Sequence, residues 1–213
     1  MIVYGASLSP FVRKVLIAAA EKGIVIDNRP ANPRTSDDAD FVQASPFRKI
    51  PALKDGDYTL CDSTAIIAYM EAKHPQPALI PADARARGKA VWFEELADTI
   101  LAPANTKIFF NRIIGPRFLN IPCNEAEAME AQTSMLPPLY AYLEGAIPAS
   151  GFLVGDSISI ADIAVTSMIV NLTHAGAPVD AAAYPKLAAY FARMSARPSI
   201  SGILAAERQM LGL

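Results

Sequence analysis

The sequence predicts two domains of different class: an α/β domain over residues 1–76 and an all-helical domain over residues 84–213. Three observations predict this. Short β runs and helical patterns alternate up to Lys73 in the order β-α-β-α-β-β-α. From Pro81 onward every further segment reads as helical. Between the two, Pro75-Gln76-Pro77 stops a helix firmly and opens a proline-rich linker over residues 75–83.

Ile2-Val3-Tyr4 is the first β run, and Gly5-Ala6-Ser7-Leu8-Ser9 is the loop after it. Pro10 stands where a helix begins, with Ser9 before it as N-cap. Phe11, Val15, Leu16 and Ala19 share one face of that helix, and Lys22 and Gly23 are its stop signals. Ile24-Val25-Ile26 reads as the second strand, so the first β-α-β unit should pair in parallel through a right-handed crossover. Residues 29–46 are polar and Pro-bearing, with a short helix expected over 37–44. Ile50-Pro51-Ala52-Leu53 is a third β run. Lys54-Asp55-Gly56-Asp57 carries an Asp-Gly hairpin turn, and Tyr58-Thr59-Leu60-Cys61 returns as the fourth strand. Asp62-Ser63-Thr64 are N-cap and first-turn residue types, and a helix over 63–73 follows at once. This order is that of a thioredoxin-like domain.

In the second half, residues 85–111 read as one long helix carrying Val91, Trp92, Leu96, Ile100 and Leu101, bent at Pro103. Residues 124–146 form the next, with Pro137-Pro138 as an irregularity. The helix over 159–174 has the clearest start. Ser159 and Asp162 make a capping box with Asp in place of Glu or Gln, and Ile158 and Ile163 are placed as its hydrophobic staple. Residues 184–196 and 199–211 close the chain.

The chain has 213 residues, 52% hydrophobic and 19% charged, which is a globular composition. A net charge of −2 with no basic stripe argues against nucleic acid as a partner. The longest apolar candidate, residues 158–172, is interrupted by Asp162 and several Ser and Thr, so no membrane span is expected. The first β run begins at once, without a positive n-region, so the expected location is cytoplasmic. Cys61 and Cys123 form no C-x-x-C pair. His74 and His174 are the only histidines, so neither a histidine-based metal site nor a Ser-His triad is indicated. Asn171-Leu172-Thr173 fits a glycosylation sequon, which we read as chance.

Two features between Phe47 and Met70 can bind a ligand as well as fold. Pro51 lacks a backbone donor and suits a strand start. A cis bond there would turn Ile50 outward and free its N–H and C=O for an extended peptide, although cis is the minority state, about 5–6% of X-Pro bonds. Asp62-Ser63 at a helix start offers N–H groups, a hydroxyl and a carboxylate beside the positive end of a helix dipole. A ligand carrying both an ammonium and a carboxylate, such as an α-amino acid terminus, fits that set.

The pattern P-F-R-K-I-P-A-L…D-G…L-x-D-S-x-A-I-I-x-Y resembles the glutathione site of the cytosolic glutathione S-transferase family. The resemblance extends over essentially the whole chain and is to a serine-type, bacterial-like member. It implies that Pro51 is the family's cis-proline and that Ile50 pairs with the cysteinyl part of glutathione. Asp62 and Ser63 would hold the γ-glutamyl end, Asp62 being shorter than the commoner Glu or Gln. Lys49 would reach the glycine carboxylate, with Arg34 and Arg48 as weaker candidates. In serine-type members a serine after the first strand donates a hydrogen bond to the glutathione sulfur. The run S-P-F-V-R-K-V makes Ser9 the first choice and Ser7 the second, while Tyr4 belongs to the strand. Phe109, Phe110 and Arg112 are candidates to line a pocket for an apolar electrophile in the helical domain. Residues 152–162 resemble the family's helix-capping segment, a folding feature. Arg13 and Lys14 on the first helix suit a dimer or domain contact.

What the resemblance implies is a soluble homodimeric glutathione S-transferase with glutathione as co-substrate and no metal. A free thiol has a pKa near 8.5, and lowering it by two units takes about 2.7 kcal/mol of differential stabilisation of the anion. A hydroxyl donor and a helix N-terminus can supply that. The alternatives are a glutathione-dependent binding or carrier protein with little catalysis, and a glutathione-dependent disulfide or peroxide reductase. The absence of cysteine between Ser7 and Phe11 argues against a covalent mixed-disulfide mechanism.

Overall fold

The computed structural model describes residues 1–213 and divides into two units, Met1–Ile80 and Pro81–Leu213. The first holds a four-stranded mixed sheet of β1 (Ile2–Tyr4), β2 (Asp27–Arg29), β3 (Ala52–Asp55) and β4 (Tyr58–Cys61), in the order β2-β1-β3-β4. β1 pairs with β2 in parallel and with β3 antiparallel, and β3 and β4 form a hairpin. Its helices are α1 (Pro10–Glu21), α2 (Ala39–Ala44) and α3 (Ser63–Lys73). Adjacent strand residues face opposite sides of a sheet, and Val3 and Tyr4 are both buried, so β1 is covered on both faces. α1 packs on α3, and α2 lies against β3 and β4. Under α2, Tyr4, Phe41, Ala44 and Ala52 form a core cluster, with the Tyr4 and Phe41 rings 6.0 Å apart.

The second strand is not the apolar run Ile24-Val25-Ile26 but the polar segment three residues later. α1 ends in a Schellman motif: Gly23 has φ +67°, its N–H donates to the Ala20 carbonyl, and the Ile24 N–H donates to the Ala19 carbonyl. That commits residues 22–24 to terminating the helix, and Val25 is left 88% exposed. Pairing resumes at Asp27, opposite Ile2. β2 is an edge strand with all three residues exposed, which its polarity suits. β3 likewise starts at Ala52, two residues after the apolar run begins.

The second unit is helical. α4 (Ala84–Glu95), a π-helical stretch Leu96–Leu101, α5 (Ala102–Phe109) and a second π stretch Phe110–Leu119 follow one another without a break. The path therefore extends past the expected end at Asn111 and stops where Asn120 takes a left-handed φ of 52°. Instead of a single bend at Pro103, the chain widens its turns just before that proline and again around Pro116. Proline donates no backbone hydrogen bond, and wide turns accommodate the gap. α6 (Glu125–Glu130), a π stretch Ala131–Met135 and α7 (Leu136–Ala146) form the next path, followed by α8 (Ile160–His174), α9 (Pro185–Ser195) and α10 (Pro198–Leu211).

α8 lies at the centre of this unit, packed against α4, α5 and α9, with fourteen of its fifteen residues buried. Its start is the expected capping box. The Asp162 carboxylate accepts from the Ser159 N–H at 2.9 Å, the Ser159 hydroxyl at 3.0 Å, the Leu153 N–H at 2.8 Å and the Tyr190 hydroxyl at 3.0 Å. One side chain thus ties the preceding loop, the helix start and α9 together. Burial raises the Asp162 pKa, and these four donors oppose the shift. No helix is long and apolar enough to cross a membrane.

Candidate functional site

Strand register assembles the site in the first unit. Tyr4, the last residue of β1, pairs with Ala52, the first of β3, and Ala52 pairs with Cys61, the last of β4. The segments that continue from this row therefore emerge together at one end of the sheet. They are the Gly5–Ser9 loop leading into α1, the Ile50-Pro51 dipeptide leading into β3, and Asp62-Ser63 opening α3. Residues more than forty positions apart, such as Tyr4 and Ala52, become neighbours.

The approach is close. A Cβ placed on Gly5 would lie 2.6 Å from Val12 Cγ2 and 3.0 Å from Ile50 Cβ, and Gly5 has φ +132°. Glycine is required there on both counts. The edge strand secures the same loop. The Asn28 amide donates to the carbonyls of Val3 and Gly5 at 3.0 Å each, and the Gly5 N–H donates to the Arg29 carbonyl at 2.9 Å.

Ser9 is the N-cap of α1, and its Oγ accepts from the Val12 N–H at 3.5 Å. That bond is at the outer limit of useful length, and it uses the oxygen rather than the hydroxyl proton. Ser9 is partly exposed, as is Ser7 in the same loop. Tyr4 is buried beside Phe41, and burial raises its phenol pKa, with the charges of Asp38 and Asp40 adding to the rise.

The Ile50–Pro51 bond is cis, and Ile50 precedes the first ladder residue of β3. Asp62 has φ 78°, and its Oδ1 caps α3 by accepting from the N–H groups of Thr64 at 2.9 Å and Ala65 at 3.1 Å. Asp62 is exposed, and Oδ2 takes no part in the cap. Ser63 is buried at the first turn. Lys49 has an exposed side chain, and its backbone N–H and C=O both bond to the Ser45 hydroxyl. Arg48 is turned toward the 36–38 segment, donating to the Ser36 carbonyl at 2.8 Å. Arg34 is exposed.

Phe109 and Arg112, expected to line an electrophile pocket, lie in the helical second unit. Phe109 is buried among the helices of the second unit. The Arg112 guanidinium is bound to Glu125, with Nη2 2.6 Å from Oε1 and Nε 3.1 Å from Oε2. It also donates to Gln132 Oε1 at 2.8 Å and to the Ala175 carbonyl at 3.1 Å. These bonds link Arg112 to three other segments of the second unit.

Three contributors had little or no sequence signature: Ser45, Asn28 and the close approach at Gly5. Ser45 and Asn28 act through backbone atoms of another segment, and Gly5 through side chains of two others. A glycine after a strand and a serine before a proline were the only signals available.

Comparison with known proteins agrees with this geometry. Residues 3–78 match the glutathione S-transferase N-terminal domain, and residues 118–207 match the glutathione S-transferase C-terminal domain. Glutathione S-transferase 3 of Zea mays is 30% identical over 96% of this chain and 93% of its own length. Glutathione S-transferase theta-1 of Rattus norvegicus is 31% identical over 73% of this chain and 65% of its own. A glutathione S-transferase of Triticum aestivum is 44% identical over 87 residues, 41% of this chain and 40% of that protein. Among solved structures, glutathione S-transferase III in its apo form superposes with a TM-score of 0.79 at 28% identity, covering 96% of this chain and 95% of that one. The chain belongs to the glutathione S-transferase family. It is a glutathione transferase by that membership, with glutathione as its co-substrate.

Proposed function

We propose that the first unit binds glutathione along the row of strand ends and that Ser9 stabilises its thiolate for attack on an apolar electrophile. The observation that carries this reading is the convergence of three segments through the register Tyr4–Ala52–Cys61. Asp62 and the α3 N-terminus present an acceptor for the γ-glutamyl ammonium and donors for its carboxylate. Ile50, outside the ladder, offers backbone groups to the cysteinyl residue, and Lys49 offers a cation to the glycine carboxylate. These placements bring the sulfur toward the start of α1.

There the energetics close. Hydrogen bonds to a charged group contribute about 1.5–3 kcal/mol, and a helix N-terminus about 0.3–1 kcal/mol or more where partly buried. Together they reach the 2.7 kcal/mol or so that a two-unit fall in thiol pKa requires. The thiolate then forms a C–S bond with the electrophilic carbon, and the leaving group departs with its electron pair. No general base is needed for that step once the thiol has lost its proton to solvent.

Membership of the family supports a homodimer located in the cytoplasm. Exposed apolar side chains, Phe47 at 83% and Trp92 at 44% exposure among them, are compatible with a second copy of the chain. Sedimentation of the purified chain tests the dimer.

The central test is a titration of glutathione into wild type and Ser9→Ala, followed by thiolate ultraviolet absorbance, with conjugation of an aryl halide assayed on the same samples. Wild type should bind glutathione as thiolate and conjugate. Ser9→Ala should bind it as thiol and lose rate about 10- to 10²-fold, the size of one hydrogen bond to a charged group. Binding without ionisation in wild type would make the site a carrier site. Wild-type behaviour of Ser9→Ala would transfer the role to Ser7 or a backbone N–H.

A further inference from the structure

We propose that Ser45 is a positioning residue for glutathione, acting through the backbone of Lys49. The inference rests on the glutathione-site reading above. Ser45 is fully buried. Its hydroxyl donates to the Lys49 carbonyl at 2.7 Å and accepts from the Lys49 N–H at 2.8 Å. One side-chain atom thereby closes on both polar backbone groups of a single residue, four positions along the chain. Lys49 directly precedes Ile50, and Ile50 directly precedes cis-Pro51, the residue before β3.

Ser45 has a second set of bonds that does not involve its side chain. Its N–H donates to the Phe41 carbonyl at 2.8 Å, which closes α2, and its carbonyl accepts from the Arg48 N–H at 2.9 Å, which makes the following turn. These survive any substitution that leaves the backbone alone. The hydroxyl is therefore dispensable for the turn and specific to the clamp on Lys49.

The clamp fixes what Lys49 and Ile50 present. With both Lys49 backbone groups satisfied inward, the lysine side chain is directed outward and is exposed. The peptide plane entering Ile50 is set by the same carbonyl. Buried backbone groups left without partners are costly, so loss of the hydroxyl favours a loop that turns them to water. Such a loop moves the Ile50 backbone out of register with the cysteinyl residue. The effect falls on binding of the tripeptide and not on ionisation of its sulfur, which belongs to Ser9.

The test uses S-methylglutathione, whose blocked sulfur removes thiolate chemistry, titrated calorimetrically into the full chain. Ser45→Cys preserves volume with a poor hydrogen-bonding group, Ser45→Ala removes the group, and Ser45→Thr keeps the hydroxyl. We expect Kd for S-methylglutathione to rise about tenfold in Ser45→Cys and Ser45→Ala, the loss of about one net hydrogen bond plus its unsatisfied partner. Ser45→Thr should recover most of it. In turnover, KM for glutathione should rise by a similar factor in the Cys and Ala variants, with kcat and the pH profile within about twofold of wild type. Folded Cys or Ala variants that bind as wild type does would overturn the inference. So would a folded Thr variant as weak as Ala, since the cause would then be packing. If wild type fails to bind S-methylglutathione, the site reading itself fails, and the Ser45 role falls with it.

Discussion

Lys22 Nζ lies 2.6 Å from Glu71 Oε2, and the lysine side chain is fully buried. The same ammonium donates to the carbonyls of His74 and Pro77, each at 2.7 Å. Glu71 accepts in turn from the N–H groups of Leu79 and Ile80 at 3.1–3.2 Å. The cation at the end of α1 thus organises the C-terminal end of α3 and the segment leading out of the first unit. Lys22→Met should destabilise this unit by about 2–3 kcal/mol, because a partly buried carboxylate and two carbonyls lose a shared donor. Urea unfolding measures it, and a cost under 1 kcal/mol would show that solvent replaces the lysine. A Lys22→Met/Glu71→Gln double variant should cost less than the sum of the singles.

The close packing at Gly5 sets a second expectation. Gly5→Ala adds a methyl 2.6 Å from Val12 and 3.0 Å from Ile50, at a backbone φ of +132° that alanine disfavours. Strain and overpacking together should cost about 2–4 kcal/mol. Because the displaced residues flank the loop of Ser9 and the Ile50 backbone, glutathione affinity should fall along with the thermal midpoint. An alanine variant with wild-type affinity and midpoint would mean that the loop yields without consequence.

Features built from near neighbours were legible in the sequence. The Ser159–Asp162 capping box lies within one helical turn, and the β3–β4 hairpin announces itself by Asp55-Gly56. Features built across the chain were not. Ile24 looks like a strand residue, but its N–H is spent on a helix terminus, so the polar Asp27-Asn28-Arg29 pairs instead. Arg112 beside two phenylalanines looks like ligand chemistry, yet its partner Glu125 stands thirteen residues on. The site motif pointed to three separate segments. The register Tyr4–Ala52–Cys61 explains why they meet, and Ser45 and Asn28 hold them through backbone groups that carry no side-chain pattern.

Asp55 links stability to acidity. Hydrogen bonds from Lys73 and then from Tyr69 lower its pKa below the ordinary 3.8. A depressed carboxylate pKa stabilises the fold above the unfolded value, and the contribution is lost as pH falls through the folded one. Asp55→Asn should therefore lower the thermal midpoint at pH 7, with the difference narrowing below pH 3.8 as wild type loses its charge. The effect should be small and salt-sensitive because Lys73 is largely exposed. A difference that stays constant from neutral pH to acid would assign it to the side chain's shape rather than its charge.

Asp62 allows its two roles to be separated. As N-cap it accepts from Thr64 and Ala65 through Oδ1, and in the function proposed above its charge is the counterion of the γ-glutamyl ammonium of glutathione. Asparagine caps helices about as well as aspartate and tolerates the positive φ of 78° found here. Asp62→Asn should therefore leave stability within about 0.5 kcal/mol of wild type. Its KM for glutathione should still rise about tenfold, the scale of one charge-assisted hydrogen bond, with kcat little changed. Asp62→Ala should lose both functions, adding about 1 kcal/mol of destabilisation to the same rise in KM. If Asp62→Asn keeps the wild-type KM, Asp62 is a cap alone, and the ammonium must be held by another group at the start of α3.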